Sequence, residues 1–188
     1  MFCRLAPLQL SLYAAVLKSK ALQRMLSRGQ DASGKGINSA YALSSINFLR
    51  KISNHPALVH PSTVAADTDT DEASFSTQLA QSGAHLFGNS FRPQDTSVSG
   101  KLCVLQALLQ QGKAIAPTER WVVISNFTKT LDLIGDLCNE WGHTTLRLDG
   151  STASSDRNAL VERFNSNGNT HTHTHTHTIR LFEDADKT

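Results

Sequence analysis

Two short segments place small polar and basic side chains where a phosphate could be held. Ser125-Asn126-Phe127-Thr128-Lys129 follows the apolar run Trp121-Val122-Val123-Ile124, and Asp149-Gly150-Ser151-Thr152 follows Thr144-Thr145-Leu146-Arg147-Leu148. Each run has a strand pattern and is followed by a helical one, so the polar residues fall between a strand end and a helix start. In parallel α/β sheets ligands bind at that carboxyl edge. Backbone N–H groups and the helix dipole favour an anion there. The same residue types also cap helices, so this chemistry alone leaves both readings open.

Other candidate constellations fail on spacing or context. Gly29-Gln30-Asp31-Ala32-Ser33-Gly34-Lys35 matches G-x-x-x-x-G-K, but Gly36 stands where a P-loop needs a Ser or Thr hydroxyl for Mg²⁺. The residues before it, Leu22 to Ser27, are helical in pattern rather than a buried strand. Ser125 and Ser151 have no His at a readable spacing, and His55, His60, His85 and His143 are scattered. No paired acidic motif follows an apolar strand, so no catalytic residue is assigned. Cys103 and Cys138 fall on helix core faces, and Cys3 is remote from both. Three widely spaced cysteines without C-x-x-C argue against zinc and disulfides and for a reducing compartment.

Residues 170–178 alternate Thr and His without exception. On an extended strand His171, His173, His175 and His177 would share a face, a soft surface metal site. A disordered polar tail is a second reading. A third is a repeated CA dinucleotide, whose triplets alternate Thr and His codons. That third reading is preferred, so no metal site is assigned and residues 167–188 are expected to be a low-complexity tail outside native domain sequence.

The elements that must position the two polar segments follow from periodicity. Leu10, Tyr13, Leu17, Leu22, Met25 and Leu26 predict one amphipathic helix from Pro7 or Leu8 to Ser27. A second runs from about Ser39 to Ile52 and stops at Asn54-His55-Pro56, because Pro56 disfavours helical geometry at His55. Residues 61–98 are polar, with the acidic run Asp67 to Glu72, and are expected to be a disordered insert. Ser99 caps a helix bearing Leu102, Leu105 and Leu109 that ends near Gly112. Trp121–Ile124 is expected to be a strand buried on both faces. Thr128 or Thr130 caps the next helix, which Gly142 ends; a second strand, the Asp149-Gly150-Ser151 turn and a helix to Phe164 follow. Helix–strand alternation over 99–166 indicates a parallel α/β unit.

Composition sets the outer limits. The chain has 188 residues, enough for one domain or slightly more. Charged residues make up 18%, against about 25% on average. A net charge of +2 is too weak to indicate nucleic-acid binding by itself. No apolar run reaches the roughly 18 residues of a membrane span, and the residues after Met1 do not form a secretory leader.

Several segments together resemble the Swi/Snf-type ATP-dependent DNA translocases of helicase superfamily two. They are Phe2-Cys3-Arg4-Leu5-Ala6-Pro7-Leu8-Gln9, Phe48-Leu49-Arg50-Lys51-Ile52-Ser53-Asn54-His55-Pro56-Ala57-Leu58-Val59, Ser99-Gly100-Lys101-Leu102, Trp121 to Asp132, Arg147 to Thr152, and Arg157 with Val161 to Ser166. Val123-Ile124-Ser125-Asn126-Phe127-Thr128 followed by Thr130-Leu131-Asp132 looks most like the recombinational-repair branch. The resemblance implies α/β architecture: an incomplete RecA-like lobe at 99–166, preceded by a helical protrusion and lobe connection at 1–60. It implies DNA contacts near Ser125, Asn126, Thr128, Lys129, Arg147, Gly150 and Arg157. It further implies a nuclear protein of homologous recombination whose partners are duplex DNA, a recombinase filament and repair proteins, with no membrane. ATP and Mg²⁺ serve the full-length family. Here the P-loop, acidic Mg²⁺ motif and arginine finger are missing, so the chain is expected to be a fragment without a cofactor and without ATP hydrolysis. The alternatives are a truncated, non-catalytic DNA- or partner-binding isoform and a fragment of a chromatin-remodelling ATPase.

Overall fold

The computed structural model describes residues 2–28, 39–64, 71–116, 118–166 and 178–183. It divides into two compact units, Met1–Gln106 and Ala107–Thr188. The Gly29–Gly36 segment and His171 to His177 lie outside the described residues.

The first unit is helical. Helix α1 spans Pro7–Leu17 and α2 spans Lys20–Arg28, where sequence periodicity predicts one continuous helix. The break is at buried Ser19. Its hydroxyl accepts the Leu22 N–H at 3.3 Å and so restarts the helix as an N-cap. Helix α3 spans Ser39–Asn54. His55 leaves it in an extended conformation (φ −161°, ψ 139°) before a 3-10 turn at Pro56–Val59, as Pro56 requires. Helix α4 is the short Pro61–Val64 and α5 is Asp71–Gly83. The expectation of a disordered insert over 61–98 is thus corrected for 61–64 and 71–98. Phe75, Leu79 and Ala80 of α5 are buried with Leu12, Val16, Leu22, Phe48 and Ile52 in one core. These few apolar residues at helical spacing supply a buried face within a polar composition.

A buried amide ties three chain segments of this unit together. The Gln9 side chain is 0% exposed. Its Oε1 accepts the Ala6 N–H (2.9 Å) and the Gly100 N–H (3.2 Å), while Nε2 donates to the Ile52 carbonyl (2.7 Å). It thereby satisfies backbone groups at the ends of α1, α3 and α6, the last spanning Gly100–Ile115. Ser99 caps α6 as expected, accepting from the Leu102 N–H, and its hydroxyl donates to the Asn54 carbonyl at 2.6 Å. His55 is also internal. Nδ1 accepts the Ala57 N–H, leaving Nε2 to donate to the Asp95 carbonyl, each at 3.1 Å.

The second unit is a parallel three-stranded sheet with helices. Strands β1 (Trp121–Ser125) and β2 (Thr144–Leu148) flank a central β3 (Thr178–Glu183). Trp121 registers with Ile179 and Ser125 with Glu183; Thr144 registers with Thr178 and Leu148 with Phe182. The sequence reading expects two strands and a tail. Thr178–Glu183 instead supplies the middle strand, because Ile179, Leu181 and Phe182 form a short β-prone segment directly beyond the Thr/His repeat. Helix α7 (Thr128–Glu140) buries Leu131, Leu133, Ile134, Leu137 and Cys138 against the sheet, and α8 (Ser154–Asn165) follows β2. Gly142, at φ +74°, ends α7. The His143 N–H reaches the Cys138 carbonyl and the Gly142 N–H reaches that of Asn139, a left-handed helix stop.

Four local expectations are corrected here. Cys103 is exposed on α6 rather than on its core face, while Cys138 is buried. Val122 and Ile124 are 49% and 65% exposed, so β1 is covered on one face rather than two. Gly112 lies inside α6 instead of ending it; a Cβ there would sit 2.3 Å from the Trp121 ring, so the glycine admits the indole. Helix α7 starts from Phe127, which offers no side-chain cap, rather than from Thr128 or Thr130.

Candidate nucleic-acid interface

Because the strands are parallel, the segments that follow β1 and β2 emerge at the same edge of the sheet. After β1, the Ser125 hydroxyl accepts the Phe127 N–H at 3.2 Å and turns the chain into α7. Asn126 and Thr128 are exposed at that turn, and Lys129 is half-buried in the first helical turn. After β2, the chain is organised by Asp149, only 6% exposed. Its carboxylate accepts the Ser151 hydroxyl (2.6 Å), the Ser151 N–H (2.9 Å) and the Arg147 Nε–H. Its own N–H donates to the Thr152 hydroxyl at 3.1 Å. The Ser151 hydroxyl bond, with Arg147 and the Ser151 N–H behind it, outweighs burial and holds the Asp149 carboxyl at a pKa of about 2. Gly150 is exposed at the tip of this turn.

The two arginines of the sequence-predicted set have partners inside the protein. Arg147 bridges Asp149 and Asp132 of α7, which fixes the β2 loop to the helix after β1. Arg157 of α8 donates to the carbonyls of Thr152 and Asp149, both at 3.3 Å. The fold therefore gathers Ser125, Asn126, Thr128, Lys129 and Gly150 on two turns at one sheet edge, while Arg147 and Arg157 brace the second turn. The two helix starts share one feature: neither Phe127 nor Ala153 supplies a side-chain acceptor. The edge has the chemistry of an anion cradle: hydroxyls, an amide, a lysine and the N-terminus of α7, which has no acidic residue in its first turn, whereas α8 has Asp156.

Sequence reasoning missed the residues that shape this unit from behind. Arg120 donates to the Asn165 (3.4 Å) and Ser166 (3.0 Å) carbonyls and lies over the Phe164 ring at 5.9 Å. It closes the C-terminus of α8 with a cation, where the dipole favours one. Nothing in the local sequence pairs Arg120 with a helix some forty residues on. Among the described residues no group of His, Cys, Asp or Glu is arranged to hold a metal ion.

This arrangement resembles the C-terminal, RecA-like domain of Swi/Snf-type ATPases. The Sulfolobus solfataricus SWI2/SNF2 ATPase C-terminal domain superposes on 98% of this chain and 62% of its own (TM-score 0.63, 17% identity). The ATPase core of the same organism, solved in complex with dsDNA, matches 96% of this chain and 29% of its own (TM-score 0.59, 14% identity). Within that class the homologues are RAD54-type proteins. The DNA repair and recombination protein RAD54B of Mus musculus is 34% identical over 168 residues, 88% of this chain. The DNA repair and recombination protein RAD54-like of Gallus gallus is 37% identical over 164 residues, 87% of this chain. The chain spans 18% and 20% of those two relatives' lengths. No protein-family model matches the chain.

Proposed function

We propose that the chain is the lobe-connecting and C-terminal-lobe portion of an ATP-dependent DNA translocase of homologous recombination and double-strand-break repair, acting in the nucleus. The observation that carries this reading is the 34–37% identity to RAD54-type proteins along 87–88% of the chain. In this reading Ser125, Asn126, Thr128, Lys129 and Gly150 meet the phosphates of duplex DNA, and Arg147 and Arg157 hold the second loop in position. Recombinase filaments and repair proteins are its protein partners. The chain binds DNA without hydrolysing ATP. Phosphoryl transfer needs a phosphate-cradling loop with its Mg²⁺ hydroxyl and an acidic Mg²⁺ ligand, and the 188 residues contain no G-x-x-x-x-G-K-[ST]. ATP and Mg²⁺ belong to the complete enzyme.

The test is a duplex-DNA titration of the chain and of Lys129→Gln. Removal of one phosphate contact lowers the slope of log affinity against log salt by about 0.9. An unchanged slope, with binding otherwise intact, would remove Lys129 from the interface.

A further inference from the structure

The basic charge of this chain is not where the proposed DNA loops are. Residues 107–188, which carry those loops, hold eight Lys or Arg against ten Asp or Glu. Residues 1–30 hold five Lys or Arg and no acidic residue. Three of those five cluster at the α1–α2 corner. Lys18 follows α1 directly, and Lys20 and Arg24 are one turn apart on α2, about 6 Å along its axis. All three side chains are exposed, as are Gln23 and Ser27 on the same helix. None is in an ion pair among the described residues.

Lys18, at the C-cap of α1, suits the negative end of that helix, but Lys20 and Arg24 do not serve the fold. Lys18 and Lys20 flank the positive end of the α2 dipole, and its first turn has no acidic residue to offset them. Lys20 and Arg24 repel at i, i+4 spacing. The N-terminus of α2 is already capped by Ser19, so the charged outer face, not the helix end, is the binding element. A surface whose charges oppose α2 and find no carboxylate among the described residues is suited to an external polyanion. Its extent, one helical turn and the preceding corner, suits successive phosphates on a nucleic-acid strand.

We propose that Lys18, Lys20 and Arg24 form a second duplex-DNA phosphate contact, carried by the helical unit and separate from the sheet-edge loops. This rests on the reading of the chain as a DNA-binding protein. The experiment compares the full chain with Lys18→Gln/Lys20→Gln/Arg24→Gln and with Lys129→Gln, in salt-dependent titrations of duplex DNA and of polyglutamate as an acidic-protein probe. Circular dichroism and thermal melting check that each variant is folded. The triple variant is expected to keep its helicity and to reduce the salt slope for DNA by about 2–3, one contact per residue. An unchanged slope in the triple variant, with a lowered slope in Lys129→Gln, overturns this proposal and leaves the loop reading standing. The reverse result supports it and overturns the loop contact. Loss of polyglutamate binding alone assigns the face to an acidic protein and overturns the proposal, as does a wild-type chain that binds no duplex at low salt.

Discussion

Replacing Gln9 with leucine keeps the side-chain volume roughly constant and removes a buried polar junction. Three hydrogen bonds disappear: from Ala6 N–H and Gly100 N–H to Oε1, and from Nε2 to the Ile52 carbonyl. Ala6 is 9% exposed and Ile52 is 0% exposed, so water does not readily replace the amide there. A buried backbone group left unpaired costs about 1–3 kcal/mol, and two such groups about 2–6. Gly100 is half-buried and adds less. Leucine returns about 1–2 kcal/mol through apolar burial, which at mid-range leaves a net loss of about 2–3 kcal/mol. That is a large part of the stability of a typical domain, about 5–15 kcal/mol. Urea denaturation followed by far-ultraviolet circular dichroism reads the loss as a lower midpoint at unchanged slope. A loss below about 1 kcal/mol would show that the three segments are not held together through this amide.

Two further perturbations probe titrating groups on either unit. Burial, opposed by the backbone hydrogen bond to Asp95, holds the His55 pKa below its ordinary 6.5. Below that pH the unfolded chain binds the proton and the folded one resists it, so stability should fall as pH drops through the lowered value. The urea midpoint between pH 7.5 and 5 should fall less steeply in His55→Gln than in wild type; equal slopes would refute a neutral, internally bonded imidazole. Asp149, held at about 2 from an ordinary 3.8, contributes stability that is present above pH 3.8 and lost as pH falls towards 2. Asp149→Asn should cost about 1–3 kcal/mol at pH 7 and release the loop at Gly150 to faster amide exchange; unchanged exchange would mean that Ser151 and Arg147 do not depend on the carboxylate.

The elements that frame the candidate site are legible because their signals are local. The Asn54-His55-Pro56 stop, the Ser99 cap and the Gly142 helix end each follow from one residue's backbone or hydrogen-bond preference, and the strand-then-polar-turn pattern at Ser125 and Asp149 located the sheet edge. Long-range features were not legible. The order β1-β3-β2 depends on Thr178–Glu183 entering between two strands closer to each other in sequence than to it. Composition had assigned that segment to the repeat beside it. Helix α5 was hidden for a related reason: Phe75, Leu79 and Ala80 are sparse, and only Leu12, Val16 and Phe48 make them a core face. The intramolecular partners of Arg147 and Arg157 are not legible either, since a basic residue near a phosphate motif carries no sign that Asp132 or a loop carbonyl engages it. Gln9 matched the family pattern, but its three bonds span up to 91 residues of sequence and leave no local trace.

We propose that this chain engages duplex DNA as a portion of a RAD54-type translocase without turning over ATP by itself. The most direct test titrates the full chain with duplex DNA across a salt series and follows phosphate release from ATP and Mg²⁺ in the same samples. The expected result is saturable binding that weakens steeply with salt, with no release above the protein-free rate. DNA-stimulated release, or no binding at the lowest salt, would contradict it.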